Sequence, residues 1–245
     1  MGSRRVLIAS AVVTVLIGLV ALFPARVAYH SFLQPSLAVR GIQGSVWHGS
    51  ASEASINGIY LRNIEWRAHP LAFFTGKLSF SMTATSVSGP LASEVKIAPD
   101  GVISLAQLTA AVPMDPFAGA LGIPGLKGIA TLTFERMEIT NGLTTAADGT
   151  LQIVDLIVPF LGQNSLGDYT AEFFTQNNGI SASVEDSEGV IDLAGSLQLK
   201  TDRSYEFIAQ VIVKSDTPQT VRQRLALLPP PNARGQYEIR LEGVL

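Results

Sequence analysis

Leu78-Ser79-Phe80-Ser81-Met82-Thr83-Ala84-Thr85 alternates apolar and small polar residues without a break. The same period of two returns downstream. Ile180, Ala182 and Val184 alternate with Ser181, Ser183 and Glu185, and Ile191, Leu193, Leu197 and Leu199 with Asp192, Ala194, Ser196 and Gln198. Tyr237, Ile239 and Leu241 alternate with Glu238, Arg240 and Glu242. A strand sends successive side chains to opposite faces, so each run predicts one face on a core and one toward solvent. Such half-buried strands belong to antiparallel sheets.

Turn signals separate the runs: Asn57-Gly58, Pro99-Asp100-Gly101, Asn141-Gly142, Asp148-Gly149, Asn178-Gly179 and Glu188-Gly189. Glycine after Asn or Asp supplies the positive φ of a tight hairpin. The spacing predicts about eleven to thirteen strands, joined mostly as a meander. A sheet of that size with one apolar face has to fold over, as a sandwich, a barrel or a bent groove. The expected class is therefore mainly β, with a large bent antiparallel sheet, groove-like or sandwich-like, and few short helices. One helix is predicted with Thr217 as N-cap and Pro218 at its first position; Val221, Leu225 and Leu228 share a face and Pro229 ends it. Shorter helical turns are expected at Asp115-Pro116 and over residues 70–75. Gly119, Gly122, Gly125 and Gly128 read as a flexible connection, a possible division of the chain near 115–128.

Upstream of the strands, residues 6–23 carry no charge and follow Arg4 and Arg5. Eighteen residues of helix span about 27 Å, enough for a hydrocarbon core when slightly extended. The run is longer than a signal-peptide core, and no small-x-small cleavage site follows, so it reads as an uncleaved signal anchor; a cleaved signal peptide is the alternative. Positive charge stays on the cytoplasmic side, so Arg4 and Arg5 place the bulk of the chain outside the cytoplasm. The expected organisation is a cytoplasmic stub and transmembrane helix over residues 1–30 and an exported β domain over 31–245.

Of the 17 basic residues, Arg4 and Arg5 precede the run, leaving 15 against 20 acidic ones. A mildly acidic exported part does not suit nucleic acid, whose phosphates call for a basic surface. There is no cysteine, so stability must come from burial and backbone pairing. Charged residues make up only 15% of the chain, which fits a surface that partly faces protein, lipid or an apolar groove.

Few residues suggest chemistry. His30, His48 and His69 lie apart, without a second ligand at zinc spacing, and neither HExxH nor GxSxG occurs. The glycine run matches no phosphate-binding fingerprint. Glu185, Asp186 and Glu188 read as a solvated turn rather than a catalytic dyad. The chain reads as a non-enzyme without metal or cofactor. Trp47 and Trp66 carry a sharper signal. Glycines beside an aromatic in a strand let a ring lie over bare backbone. The two rings fill the core of the first hairpins, or one of them anchors a partner; the alternation Ile64-Glu65-Trp66-Arg67 favours core for Trp66.

The apolar anchor, then Gly41-Ile42-Gln43-Gly44-Ser45-Val46-Trp47-His48-Gly49-Ser50-Ala51, then Ile64-Glu65-Trp66-Arg67 with Pro70-Leu71 leading into Gly76-Lys77-Leu78, resembles the N component of bacterial type II secretion systems. The ending Gly235-Gln236-Tyr237-Glu238-Ile239-Arg240-Leu241-Glu242-Gly243 is similar to that family as well. The resemblance implies a single-pass inner-membrane protein with a periplasmic β domain, related to the AsmA-like group of bent sheets. Its partners would be other inner-membrane or periplasmic secretion components and membrane lipid, with lipid held in a groove as the rival role. Gly44, Trp47, Gly49, Trp66 and Pro70 match the motif and are the candidate fold-motif or partner-contact residues.

Overall fold

The computed structural model describes residues 18, 22–32, 38–56, 58–119, 121–176 and 179–244. Arg4, Arg5, most of the apolar run, Asn57 and Asn178 lie outside the described residues. Among those described, no helix is long and apolar enough to cross a membrane.

The chain opens with helix α1 (Ala25–Phe32) and then forms strands β1 (Ala38–Arg40), β2 (Gln43–Gly44), β3 (His48–Ile56) and β4 (Ile59–Ala68). A 3-10 helix over Pro70–Thr75 leads into β5 (Leu78–Ser86), β6 (Pro90–Ile97) and β7 (Ile103–Pro113). After a 3-10 turn at Asp115–Phe117 come β8 (Lys127–Thr140), β9 (Leu143–Ile157), β10 (Tyr169–Gln176), β11 (Gly179–Asp186), β12 (Ile191–Lys200) and β13 (Ser204–Val213). Helix α2 (Gln219–Leu225) precedes the last strand, β14 (Tyr237–Val244). All strands belong to one antiparallel sheet in which, from β3 onward, each pairs with the next in sequence. β1 and β2 both pair with β3 and together form the first edge, broken at Gly41 and Ile42. The expected meander is observed as a single open sheet, not a two-sheet sandwich. The glycine-containing connection after Asp115 joins β7 and β8, which pair along their length.

Curvature has a local cause. Leu61-Arg62-Asn63-Ile64, Leu105-Ala106-Gln107-Leu108 and Ile153-Val154-Asp155-Leu156 share one arrangement. The third residue of each is left-handed, with φ of 50° at Asn63, 51° at Gln107 and 53° at Asp155. The ladder register shifts beside each. Residues three apart would face opposite sides of a regular strand. Here Leu61 and Ile64 join one apolar cluster, Leu105 and Leu108 a second, and Ile153 and Leu156 a third. Left-handed backbone costs a non-glycine residue about 1–2 kcal/mol, and each bulge also adds twist to its strand.

The curled sheet packs against itself. Ile59, on β4, packs on the cluster of Val112, Met114, Leu126 and Ala130 from β7, β8 and their link. A Cβ on Gly58 would lie 3.3 Å from Pro116 Cβ, although β4 and β7 are three strands apart, about 14 Å in a flat sheet. Leu91 bridges the first and second clusters, Leu132 the second and third, and Leu156 and Val158 lead on to the fourth. That fourth cluster holds Leu166, Tyr169, Ile191, Val211, Val221 and Leu225. As expected, Val221, Leu225 and Leu228 of the α2 region share the face that packs there. Burial pushes the Tyr169 phenol pKa up, with Asp186 adding to the shift; its hydroxyl donates to the Leu166 carbonyl at 3.2 Å.

Three expectations about turns and caps are corrected. Asp148-Gly149 makes no turn: both residues lie inside β9 and pair with β8 across a register shift beside Phe134. Thr217 does not cap α2: its hydroxyl donates to the Val190 carbonyl at 2.6 Å, and Pro218 holds the N-cap position. This bond satisfies a buried hydroxyl and ties the connection to the residue just before β12. Asp186 is likewise no solvated turn residue. It accepts from Lys214 Nζ at 2.6 Å and from the Leu193 N–H at 2.9 Å, so it ties β11 to β12 and to the end of β13. Burial alone would raise its carboxyl, but the hydrogen bonds from Lys214 and Leu193 outweigh that and hold it below the ordinary carboxylate range. The same bond raises Lys214. Leu78 and Leu241, expected on the apolar face, keep 38% and 49% of their surface exposed, whereas Ser79, expected toward solvent, is buried.

Leu225→Ala should cost about 3 kcal/mol, measured as a fall in the urea midpoint, because a fully buried leucine leaves a cavity between α2 and the sheet. The Asp186–Lys214 pair sets a pH window. A depressed carboxyl contributes stability above about pH 4 that is lost as pH falls through its folded pKa. A raised amine contributes below about pH 10 and loses that contribution above it. The stability gap between the natural chain and Asp186→Asn should therefore be flat from about pH 5 to 8 and close toward pH 2; a gap that widens in acid would contradict this assignment.

Candidate functional site

The motif residues build the first edge of the sheet and attach the N-terminal segment to it. Ser45 opens the β2–β3 turn: its N–H donates to the His48 carbonyl at 3.0 Å, and its hydroxyl accepts from the N–H groups of Trp47 and His48 at 3.3 and 3.2 Å. Gly44 and Gly49 sit opposite each other across that turn. Gly44 has φ +82°, and a Cβ there would lie 2.5 Å from the His48 carbonyl oxygen and 2.8 Å from Gly49 Cα. A Cβ on Gly49 would press on Trp66 Cζ2, 2.9 Å from its Cε2, and stand 2.5 Å from the Gln43 carbonyl oxygen.

The ring over bare backbone is therefore that of Trp66, reaching across from β4, rather than its sequence neighbour Trp47. Trp66 Nε1 donates to the Ser45 carbonyl at 3.2 Å, and the ring packs with Ile64, Leu61, Ala51, Ala54 and Ala84. The core role expected for Trp66 matches this packing. Trp47 is half-buried at the turn, where its carbonyl accepts from the Ala68 N–H at 2.6 Å and so ties the hairpin to the end of β4. Pro70 stands apart, exposed at the head of the 3-10 helix. Just before it, His69 Nε2 lies 2.6 Å from the Ser81 hydroxyl.

Onto this edge docks the segment that follows the apolar run. The Val46 N–H donates to the Phe23 carbonyl at 3.0 Å, and Pro24 forms a bridge with Ser45. Arg26 Nε donates to the Ile42 carbonyl at 2.7 Å, and the Tyr29 hydroxyl accepts from the Val39 N–H at 3.2 Å. Ala25, the first residue of α1, is buried. Arg26, which in the sequence is only a charge flanking the run, supplies the hydrogen bond that spans the break between β1 and β2. Phe23, Pro24 and Ser45 carry no sequence signal for this role beyond their position between the run and the first strands.

Among the described residues, no three His, Cys, Asp or Glu side chains gather where they could hold a metal ion. A shallow cavity of about 590 Å³ lies between the Leu228–Asn232 segment and strands β13 and β14, lined by Gln210, Pro230, Glu238 and Arg240 among others. Arg240 pairs there with Glu206 at 2.5 Å.

The family model for type II secretion system protein N matches residues 35–240, from just before β1 into β14. This chain belongs to that family. The type II secretion system protein N of Vibrio cholerae serotype O1 is 22% identical over 240 residues, covering 91% of each chain. No solved structure matches. Family membership gives the chain a role in type II protein secretion, as a part of the assembly associated with the inner membrane. The matched span takes in the whole motif edge, including Gly44, Trp47, Gly49, Trp66 and Pro70.

Gly49→Ala and Trp66→Ala should each destabilise the chain, Trp66→Ala by about 3 kcal/mol. Their effects should be partly non-additive, because removing the ring relieves the contacts of a Cβ at position 49 with Trp66 and leaves the one with the Gln43 carbonyl oxygen. Thermal midpoints of both single variants and the double variant measure the coupling; additive losses would mean that the ring does not lie over Gly49 in solution.

Proposed function

We propose that the chain is a non-enzymatic strut of the type II secretion assembly. Residues 6–23 hold it in the inner membrane as a single span, with Arg4 and Arg5 in the cytoplasm and the sheet in the periplasm. The far edge of the sheet positions another secretion component. The observation that carries this reading is the contrast between the two edges. The first edge is short, broken at Gly41 and occupied by the segment leading out of the apolar run. The last, β14, is eight residues long and unbroken, and among the described residues no strand pairs with its outer side. Open edges of this length are normally blunted, because their free N–H and C=O groups invite another strand. Strand addition is a common way to bind an extended segment of a partner. The cavity beside β14, with Arg240 and Glu238 in its lining, offers polar contacts to such a segment.

The rival role, acyl chains carried in a groove, gains no specific support, since that cavity is lined by charged side chains as well as apolar ones.

A photo-crosslinking amino acid at Leu241, exposed on β14, tests the reading in cells carrying the complete secretion apparatus. It should yield an adduct with another secretion component that disappears when the apparatus is deleted. The same probe at Val87, on the exposed β5–β6 turn, should not. Identical adducts with and without the apparatus would overturn the proposed role of this edge.

A further inference from the structure

We infer that the 3-10 helix Pro70–Thr75 is a second contact with the membrane, resting its tip on the lipid surface beside the point where the chain emerges. The inference rests on the single-span anchor proposed above. Hydrogen bonds place the two features at one end of the sheet. Phe23 and Pro24, at the end of the apolar run, are bonded to Val46 and Ser45 in the β2–β3 turn. The next residue of that turn, Trp47, accepts from Ala68, two residues before the helix begins. A run that ends in the bilayer at Phe23 therefore brings this end of the sheet to the bilayer surface.

What the helix presents suits that position. Its sequence is Pro-Leu-Ala-Phe-Phe-Thr, and Leu71 keeps 77% of its surface exposed, as does Leu22 beside the emerging chain. Leu71, exposed to this degree, belongs to none of the apolar clusters described for the sheet. The flanking charge is of one sign. Arg67 and Lys77 bracket the helix and are exposed, Arg26 lies on the docked α1, and the sequence has no carboxylate between Glu65 and Glu94. Apolar side chains with basic flanks are the chemistry of an interfacial segment on anionic lipid. Two contacts, the span and this tip, would fix the tilt of the sheet over the membrane, which a single point of attachment cannot do.

The absence of cysteine makes the test direct, since any introduced thiol is unique. The full chain is reconstituted in phosphatidylethanolamine and phosphatidylglycerol vesicles, with a spin label at Leu71→Cys, Val87→Cys or Leu16→Cys. Accessibility to oxygen and to a water-soluble nickel chelate then reports depth. The Leu71 label should be more accessible to oxygen than to nickel, while the Val87 label, at the opposite end of β5, should show the reverse. Lipid at Leu16 with water at Leu71 would overturn this inference and leave the anchor standing. Water at both would overturn the anchor and the inference together. A Leu71 label that leaves water only when other secretion components are added would assign the tip to a protein partner instead, and would equally overturn the inference.

Discussion

Apart from the face that α2 covers, the described part of the sheet has no second layer and has to bury its apolar side against itself, and much else in this structure follows from how it bends to do so. Regular strands would keep the alternating face in one plane, and fourteen of them would leave that face wet. The three bulges at Asn63, Gln107 and Asp155 break the period of two, bring residues three apart onto the same face and add local twist. Because of that bending the β3–β4 tip reaches Pro116, and Ile59 serves the first and third clusters together. Small residues complete the arrangement. Ala51, Ala54, Ala84, Ala110, Ala130 and Ala147 line the interior, so the curved strands approach without the overpacking that larger side chains would cause.

The two ends of the sheet are treated differently. At the first edge, backbone groups of β1 and β2 are shared with β3, the Arg26 guanidinium and the Tyr29 hydroxyl, so that α1 and the sheet form one body. At the last edge, α2 and the Pro229-Pro230 segment cover the face of β13 and β14 but not the outer side of β14. Arg240 and Glu242 on β14, with Glu206 on the neighbouring β13, form a partly exposed charge group. Such pairs add little stability in water, so their arrangement matters more for what approaches the edge than for holding it in place. A secretion component that must be fixed at one end and engage neighbours at the other is well served by this asymmetry.

Much of this was legible in the sequence. The period of two gave the strand class of β5, β11, β12 and β14, Asn141-Gly142 and Asp100-Gly101 gave turns while Asp148-Gly149 did not, and Pro218 with Val221 and Leu225 gave the start of α2 within a residue, although the helix ends at Leu225 rather than Leu228. These are local signals, because a strand's two faces and a helix's first turn are set by covalent geometry and by neighbours along the chain. The glycines around Trp47 pointed to a ring over backbone, and a ring is there. Which ring it is could not be read, since Trp66 reaches Gly49 only once β3 and β4 have paired.

Sequence by itself therefore determined the strands, the apolar run that precedes them and the family, all of which depend on residue type and spacing. Tertiary structure alone decided the bulges, the closing of β4 onto the β7–β8 link, and the docking of Phe23, Pro24 and Arg26 on the first edge. It also turned Asp186 from an apparent surface acid into a tie between β11, β12 and β13. The physical reason is the same throughout. A left-handed Asn63, Gln107 or Asp155 is unfavourable on its own and is held only by the clusters it lets form, so nothing in the local sequence could announce it.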